Sequence, residues 1–172
     1  AGNSNSAASS ELLLRVTGGQ IATADAEGKV SVYSAGMKQR EGGWSPTTAP
    51  SSLILAAHPD GRLMSAQKGG GSVEVYDVAG ELLQTVAGFQ AVAGMACAGS
   101  GELYVVDGAE RRIAVLDAQL SESGSLRAAA MQSPVGLAVD GAGRLYVADA
   151  GAGAVLLLEP TSGVLLATVP FP

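Results

Sequence analysis

Three aspartates, Asp25, Asp107 and Asp149, stand at the same place in three similarly written stretches of this chain. Carboxylates at equivalent positions of a repeat could ring one face of a molecule and hold a cation between them. The same residue type could instead accept backbone N–H bonds from its own loop, as Asx turns do. A position locked to a repeat serves the repeating unit first, so these are read as structural carboxylates. Arg111 and Arg112 form the one basic pair. Arg112 sits where it could pair with Asp107 or Asp117; Arg111 is surplus to that pairing and is a candidate partner contact, weighed against a structural role. Trp44 borders the stretch "SPTTAPSS" (45–52) and is a second candidate partner contact, weighed against packing on its own sheet.

The remaining reactive residues point to little chemistry. His58, the one histidine, could be a general base or a single metal ligand, but it lies in "HPDG", where a Pro-Asp-Gly turn accounts for it. Cys97 is the one cysteine. It excludes an intrachain disulfide or a multi-cysteine zinc site, and in its small-residue surroundings it reads as a buried, inert thiol. "KGGGS" (68–72) and Ala150–Gly153 are glycine-rich, but phosphate cradling needs a helix after the loop. They read as hairpin loops. No catalytic residue, no metal site and no cofactor is expected.

The 172 residues suffice for one domain, and a domain of that length buries roughly 70% of its unfolded surface. Hydrophobic residues make up 47% but aromatic ones only 4%, so Ala, Val, Leu and Gly must fill the interior. The 24 glycines exceed the usual share of about 7% and imply many turns or close backbone contacts. Ten basic against sixteen acidic residues give a net charge of −6. Nucleic-acid binding needs a clustered positive footprint, which Arg111–Arg112 alone does not make. No apolar stretch approaches the roughly 20 residues of a membrane span. Compartment is not legible; Ala1 in place of a methionine, few lysines and the Ser/Thr/Pro segments lean toward an exported or organelle-lumen protein.

The elements that must position these residues recur. Segments beginning at Gly19, Gly61, Gly101 and Gly143 ("GQIATADAEGKVSVYS", "GRLMSAQKGGGSVEVYD", "GELYVVDGAERRIAVLD", "GRLYVADAGAGAVLLLE") align with at most one gap, and their starts are 42, 40 and 42 residues apart. Upstream of each lies a run of small apolar residues: "ELLLRV" (11–16), "LILAA" (53–57), "GMACA" (94–98) and "GLAVD" (136–140). Downstream, three units offer a fourth run: "ELLQTV" (81–86), "SLRAAAM" (125–131) and "VLLATV" (164–169). In the first unit "MKQREGGW" has little strand pattern. Gly, Pro and Asp punctuate the joints, and helical periodicity is absent.

Four antiparallel strands every 40 to 45 residues or so is the plan of a β-propeller blade. It explains why Leu103–Val106 and Ile113–Leu116 are apolar without a break, since an antiparallel hairpin with one wet face alternates. A blade lies between two others, so both faces of its middle strands meet apolar neighbours. A β-sandwich would require the even spacing to be coincidental. The expected fold is therefore all-β: a polar tail over 1–10 and a propeller domain over 11–172, with blades at about 11–50, 51–89, 90–132 and 133–172.

These hairpins resemble the NHL-repeat type of blade, whose units read Gly-x-Leu-Tyr-Val-x-Asp, a polar loop, then Arg-Ile-x-x-apolar-Asp. The third unit matches best, with Asp107, Arg112, Ile113 and Asp117 in place. The fourth keeps Asp149 but has Ala154 for the arginine; the second has Gln67 and Ser72; the first keeps Asp25 and has Lys29. The resemblance implies a rigid scaffold that presents loops on two faces and binds protein partners. Members of that family usually form six-bladed rings, and this chain holds four units. A tight four-bladed ring, two chains sharing a larger ring, and an arc of a longer or multi-chain assembly are all open. An unclosed arc would expose the faces of its end blades, which are association-prone, so homo- or hetero-oligomeric contact there is expected.

The function that follows is a non-catalytic interaction or scaffold module, or a structural subunit of a larger assembly. The alternative is a propeller hydrolase or lyase, similar to gluconolactonase-like or peptidyl-amidating lyase-like rings, with a metal in the axial channel. At the starts of the axial strands the chain offers Glu11, Ser52, Gln90 and Ser133, one of them charged, where a metal centre wants at least three converging ligands.

Overall fold

A computed structural model describes residues 12–15, 21–24, 29–33, 40–45 and 53–172. Among them are sixteen strands and no helix. Sheet 1 comprises β1 (Leu12–Arg15), β2 (Ile21–Ala24), β3 (Val30–Tyr33) and β4 (Arg40–Trp44); sheet 2 comprises β5 (Leu53–Ala57), β6 (Leu63–Gln67), β7 (Ser72–Tyr76) and β8 (Leu82–Ala87). Sheet 3 comprises β9 (Val92–Cys97), β10 (Leu103–Asp107), β11 (Arg112–Leu116) and β12 (Glu122–Leu126); sheet 4 comprises β13 (Pro134–Val139), β14 (Leu145–Asp149), β15 (Ala154–Leu158) and β16 (Leu165–Pro170). Within each sheet the strands lie in chain order and antiparallel.

The turn between first and second strands opens on the repeat glycine. Gly61, Gly101 and Gly143 have φ of 98°, 96° and 82°, a region that costs glycine nothing and other residues strain. Gly101 is constrained twice, because a Cβ there would lie 3.0 Å from His58 Nε2 of the preceding sheet.

The register explains the unbroken apolar strands. Leu103 pairs with Leu116 and Val105 with Ala114, while Tyr104 pairs with Val115 and Val106 with Ile113. Alternate residues point to opposite faces. Leu103, Val105, Ala114 and Leu116 enter a cluster with Met64, Ala66, Val73 and Val75 of sheet 2. Tyr104, Val106 and Ile113 enter another with Leu145, Val147 and Leu156 of sheet 4. Ala22, Ala24, Val30 and Val32 of sheet 1 meet Leu55 and Leu63 of sheet 2 in a third. The sheets thus fan out in sequence order. Among the described residues no such cluster joins sheet 4 back to sheet 1. The fan is an open arc rather than a closed ring.

First strands converge on the inner side, where space is short. A Cβ on Gly94 of β9 would come within 3.0 Å of the Gly136 Cα in β13, which is why small residues recur there. Fourth strands form the outer rim, and β8 and β16 are exposed along nearly their whole length. The fourth strand of sheet 3 differs from its sequence expectation. It is Glu122–Leu126 rather than 125–131. A rim strand is held by its ladder to β11, Ala114 to Ser125 and Ile113 to Leu126, and needs no apolar pattern. The alanine-rich run instead covers the junction of sheets 3 and 4, with Met131 buried and Ala128 and Ala130 packed beside it. For the same reason Arg40–Trp44 forms a rim strand despite its polar composition.

Candidate functional site

Asp107 and Asp149 end the second strands of sheets 3 and 4, and both are fully buried. Asp107 accepts N–H bonds from Gln90 (2.8 Å), Ala91 (3.1 Å) and Glu110 (3.4 Å). Asp149 accepts the equivalent bonds from Gln132 (2.8 Å), Ser133 (2.9 Å) and Ala152 (2.8 Å). Each carboxylate therefore ties the start of its own inner strand to its own hairpin loop. Burial opposes ionisation of both, but the surrounding N–H groups outweigh it and hold each carboxyl below its usual value, with Arg112 assisting at Asp107. Asp25 lies outside the described residues.

Arg112 Nε stands 4.0 Å from Asp107 Oδ2, and its Nη1 donates to the Glu122 carboxylate. Arg111 is exposed, with φ of 48° in the left-handed region. Its neighbour Glu110 is engaged by Arg127, at 3.0 Å. Trp44 ends β4 opposite Val30; its side chain lies outside the description. The two candidate partner contacts are carried by different sheets, 3 and 1.

On the inner side, the described first-strand side chains of sheets 2 to 4 around the hub are mostly alkyl. A cavity of about 370 Å³ there is lined by Leu55, Met95, Cys97, Leu137 and Val139 with four alanines of the same strands, Ala56, Ala57, Ala96 and Ala138. Burial, reinforced by the charge of Asp60, pushes the Cys97 thiol up to about 11, so it is protonated at neutral pH. Gln90 and Ser133 give their backbone N–H groups to Asp107 and Asp149; Glu11 and Ser52 lie outside the described residues. Among the described residues no three His, Cys, Asp or Glu side chains stand close enough to share a metal ion.

One constellation escaped the sequence reading. His58 is buried, its Nδ1 2.6 Å from Asp60 Oδ1 and its Nε2 3.0 Å from the Gly101 carbonyl oxygen. Arg62 donates through Nε to Asp60 (2.8 Å) and through Nη2 to the Ala118 carbonyl (2.7 Å). The "HPDGR" turn of sheet 2 thereby grips two turns of sheet 3. Arg62, four residues beyond His58, was the available signal, but Gly101 lies 43 residues from His58 and Ala118 lies 56 from Arg62, and they become neighbours only once the sheets are stacked.

The far side of sheet 4 is open. Tyr146, Ala148, Val155 and Leu157 alternate with the buried row Leu145, Val147, Leu156 and Leu158 and are only half-buried. Val169, opposite Val155 on the same side, is 60% exposed. At the turn, Arg144 pairs with Asp140 of its own sheet at 2.7 Å.

No protein family and no curated protein matches the chain. Solved structures do. The chain is similar to "Structure of U3-55K" and to the crystal structure of RRP9 WD40 repeats, each at TM-score 0.72 and 19% identity, over 94% of this chain and 52% of the other. It is equally similar to a catalytically inactive virginiamycin B lyase from Staphylococcus aureus with quinupristin, at TM-score 0.72 and 11% identity, over 96% of this chain and 57% of that one. The fold is a β-propeller's, in four blades. The chain spans about half the length of the solved structures it matches. Sheets 1 to 4 are blades 1 to 4, and the open side of blade 4 is where a further blade would stand.

Proposed function

We propose that this chain is a non-catalytic protein-interaction and scaffold module, an arc of an NHL-like propeller that works inside a larger assembly. The hub wall carries the reading. Where a propeller enzyme would gather reactive groups on the axis, the described wall offers alkyl groups and one protonated thiol. A structural role for Asp107 and Asp149 is supported by their oxygens facing N–H groups of their own blades. The third unit's Asp107, Arg112, Ile113 and Asp117 support the NHL-like type. Partners are proteins, held at the loop faces and end blades, with Arg111 and Trp44 as contacts.

The alternative, a metal-dependent hydrolase or lyase, draws on the likeness to the lyase fold. Isolation from source cells under mild conditions separates the two. A protein partner recovered in stoichiometric amount, retained at least tenfold less well by an Arg111→Glu variant of unchanged melting temperature, is expected. Hydrolase or lyase turnover abolished by a chelator, with no such partner, overturns the proposal.

A further inference from the structure

We infer that the cleft between the turns of blades 3 and 4 is a binding site for an arginine side chain carried by a protein partner. The inference rests on the reading of the chain as an interaction module and names the chemistry that its partner presents. A comparison of two junctions inside the molecule leads there.

The turns that join first and second strands in blades 2 and 3 share one backbone. In "HPDGR" (58–62) the His58 N–H donates to the Arg62 carbonyl at 2.8 Å, and the Gly61 N–H to the His58 carbonyl at 3.0 Å. In "AGSGE" (98–102) the Ala98 N–H donates to the Glu102 carbonyl at 2.8 Å, and the Gly101 N–H to the Ala98 carbonyl at 3.0 Å. The two glycines agree as well, with φ of 98° and 96°. Glu102 therefore stands where Arg62 stands, and Ala98 where His58 stands. The charge is reversed on an unchanged scaffold.

At the junction of blades 2 and 3, these side chains bring donors to the next blade. His58 reaches the Gly101 carbonyl and Arg62 the Ala118 carbonyl. At the junction of blades 3 and 4 the corresponding carbonyls belong to Gly143 and Pro160, at the same places of the repeat. Ala98 has no polar side-chain atom, and an ionised Glu102 can only accept. Neither position supplies the donor that its counterpart supplies.

The space those side chains would fill is open. A cleft of about 410 Å³ is lined there by Glu102, Tyr104, Ser123, Ser125, Pro160 and Thr161. A second of about 390 Å³ shares Glu102, Tyr104 and Pro160 with it and runs on between the two turns. Each falls within the roughly 300 to 1,000 Å³ that ligand sites occupy. Ser123, Ser125 and Thr161 are exposed, so the cleft is reached from solvent. Glu102 is half-buried and accepts from the Ser100 hydroxyl at 2.9 Å. Among the described residues no arginine or lysine pairs with it. Burial, with the charges of Glu102 and Glu159, pushes the Tyr104 phenol up, which is the mark of a negative field in the cleft.

A carboxylate on one wall and carbonyls on the other call for a cation with many donors and no acceptor. A guanidinium is such a group: planar, always charged, with five N–H donors in a fixed fork. One edge can pair with Glu102 bidentately while another N–H turns to the Pro160 carbonyl, as Arg62 turns one to Ala118. An ammonium offers a compact point charge and no fork.

The test titrates blocked Gly-Arg-Gly and Gly-Lys-Gly peptides into the full chain and follows its amide chemical shifts by NMR. Saturable shifts at Glu102, Tyr104 and Thr161 are expected with the arginine peptide, and binding at least fivefold weaker with the lysine peptide. Glu102→Gln, of unchanged melting temperature, should weaken the arginine peptide at least tenfold, and Glu102→Arg, which supplies the donor from within, should abolish its binding. The absence of saturable shifts at those amides overturns the inference. So does a lysine peptide that binds as tightly, a calcium ion that produces the same shifts at lower concentration, or a Glu102→Gln chain that binds unimpaired. A protein partner retained in full by Glu102→Gln would sink this inference and leave the proposed function standing.

Discussion

Blades 3 and 4 are written almost alike, "LYVVD" against "LYVAD" in their second strands, yet they live in different surroundings. In blade 3 every residue of that strand is buried. In blade 4 burial alternates, with Leu145, Val147 and Asp149 covered and Tyr146 and Ala148 half-open. The strands are equivalent in register and in turn geometry; only the neighbour differs. Burial in a propeller is therefore a property of the stack, and an apolar residue on an end blade shows what the stack lacks.

The largest contrast should come from charge. Val106→Asp places a carboxylate between blades 3 and 4, for a loss of about 4 kcal/mol or more, enough to unfold a domain of ordinary stability. Ala148→Asp at the equivalent position of blade 4, measured by urea denaturation at dilution, should cost under about 1 kcal/mol. Equal losses would break the comparison. Truncation sharpens it: Tyr104→Ala should cost about 3 to 4 kcal/mol and Tyr146→Ala about 1 kcal/mol.

How much of this the sequence showed depends on what each residue answers to. The hairpins over Leu103–Leu116 and Leu145–Leu158 were legible because apolar runs bounded by turn glycines report local structure and two-sided burial together. The fourth strand of blade 3 was misplaced because a rim strand is fixed by its ladder, and Glu122–Ser125 carry no apolar signal. The His58–Asp60–Arg62 grip was invisible because its acceptors, Gly101 and Ala118, belong to the next blade. For Asp107 and Asp149 only the bonds from Glu110 and Ala152, three residues on, follow the local pattern that the sequence suggests; those from Gln90, Ala91, Gln132 and Ser133 span 16 or 17 residues and needed the fold. That the arc stays open could not be read at all: four like units fit a closed ring and an open one equally.

Those carboxylates provide the next test. Asp107→Ala leaves the N–H groups of Gln90 and Ala91 without their carboxylate acceptor and should cost about 1 to 3 kcal/mol, with Asp149→Ala similar. In the native protein both carboxyls titrate below their unfolded value of about 3.9, so their stabilisation is complete above that pH and is lost as pH falls through the lower folded values. The midpoint of urea unfolding should drop on acidification below about pH 4, and by less in either alanine variant. The smallest contrast lies at the repeat glycines. Gly101→Ala meets both an unfavourable φ and His58 of blade 2 and should cost about 2 kcal/mol. Gly143→Ala meets only the φ, since nothing lies within 4 Å of its Cβ position, and should cost about 1 kcal/mol.

The most direct measurement is hydroxyl-radical footprinting of Tyr104 and Tyr146 in one sample, read by mass spectrometry across a dilution series. At high dilution Tyr146 should be oxidised several times faster than Tyr104. Equal rates at every dilution, or faster labelling of Tyr104, would contradict a stack in which blade 3 is covered on both sides and blade 4 on one.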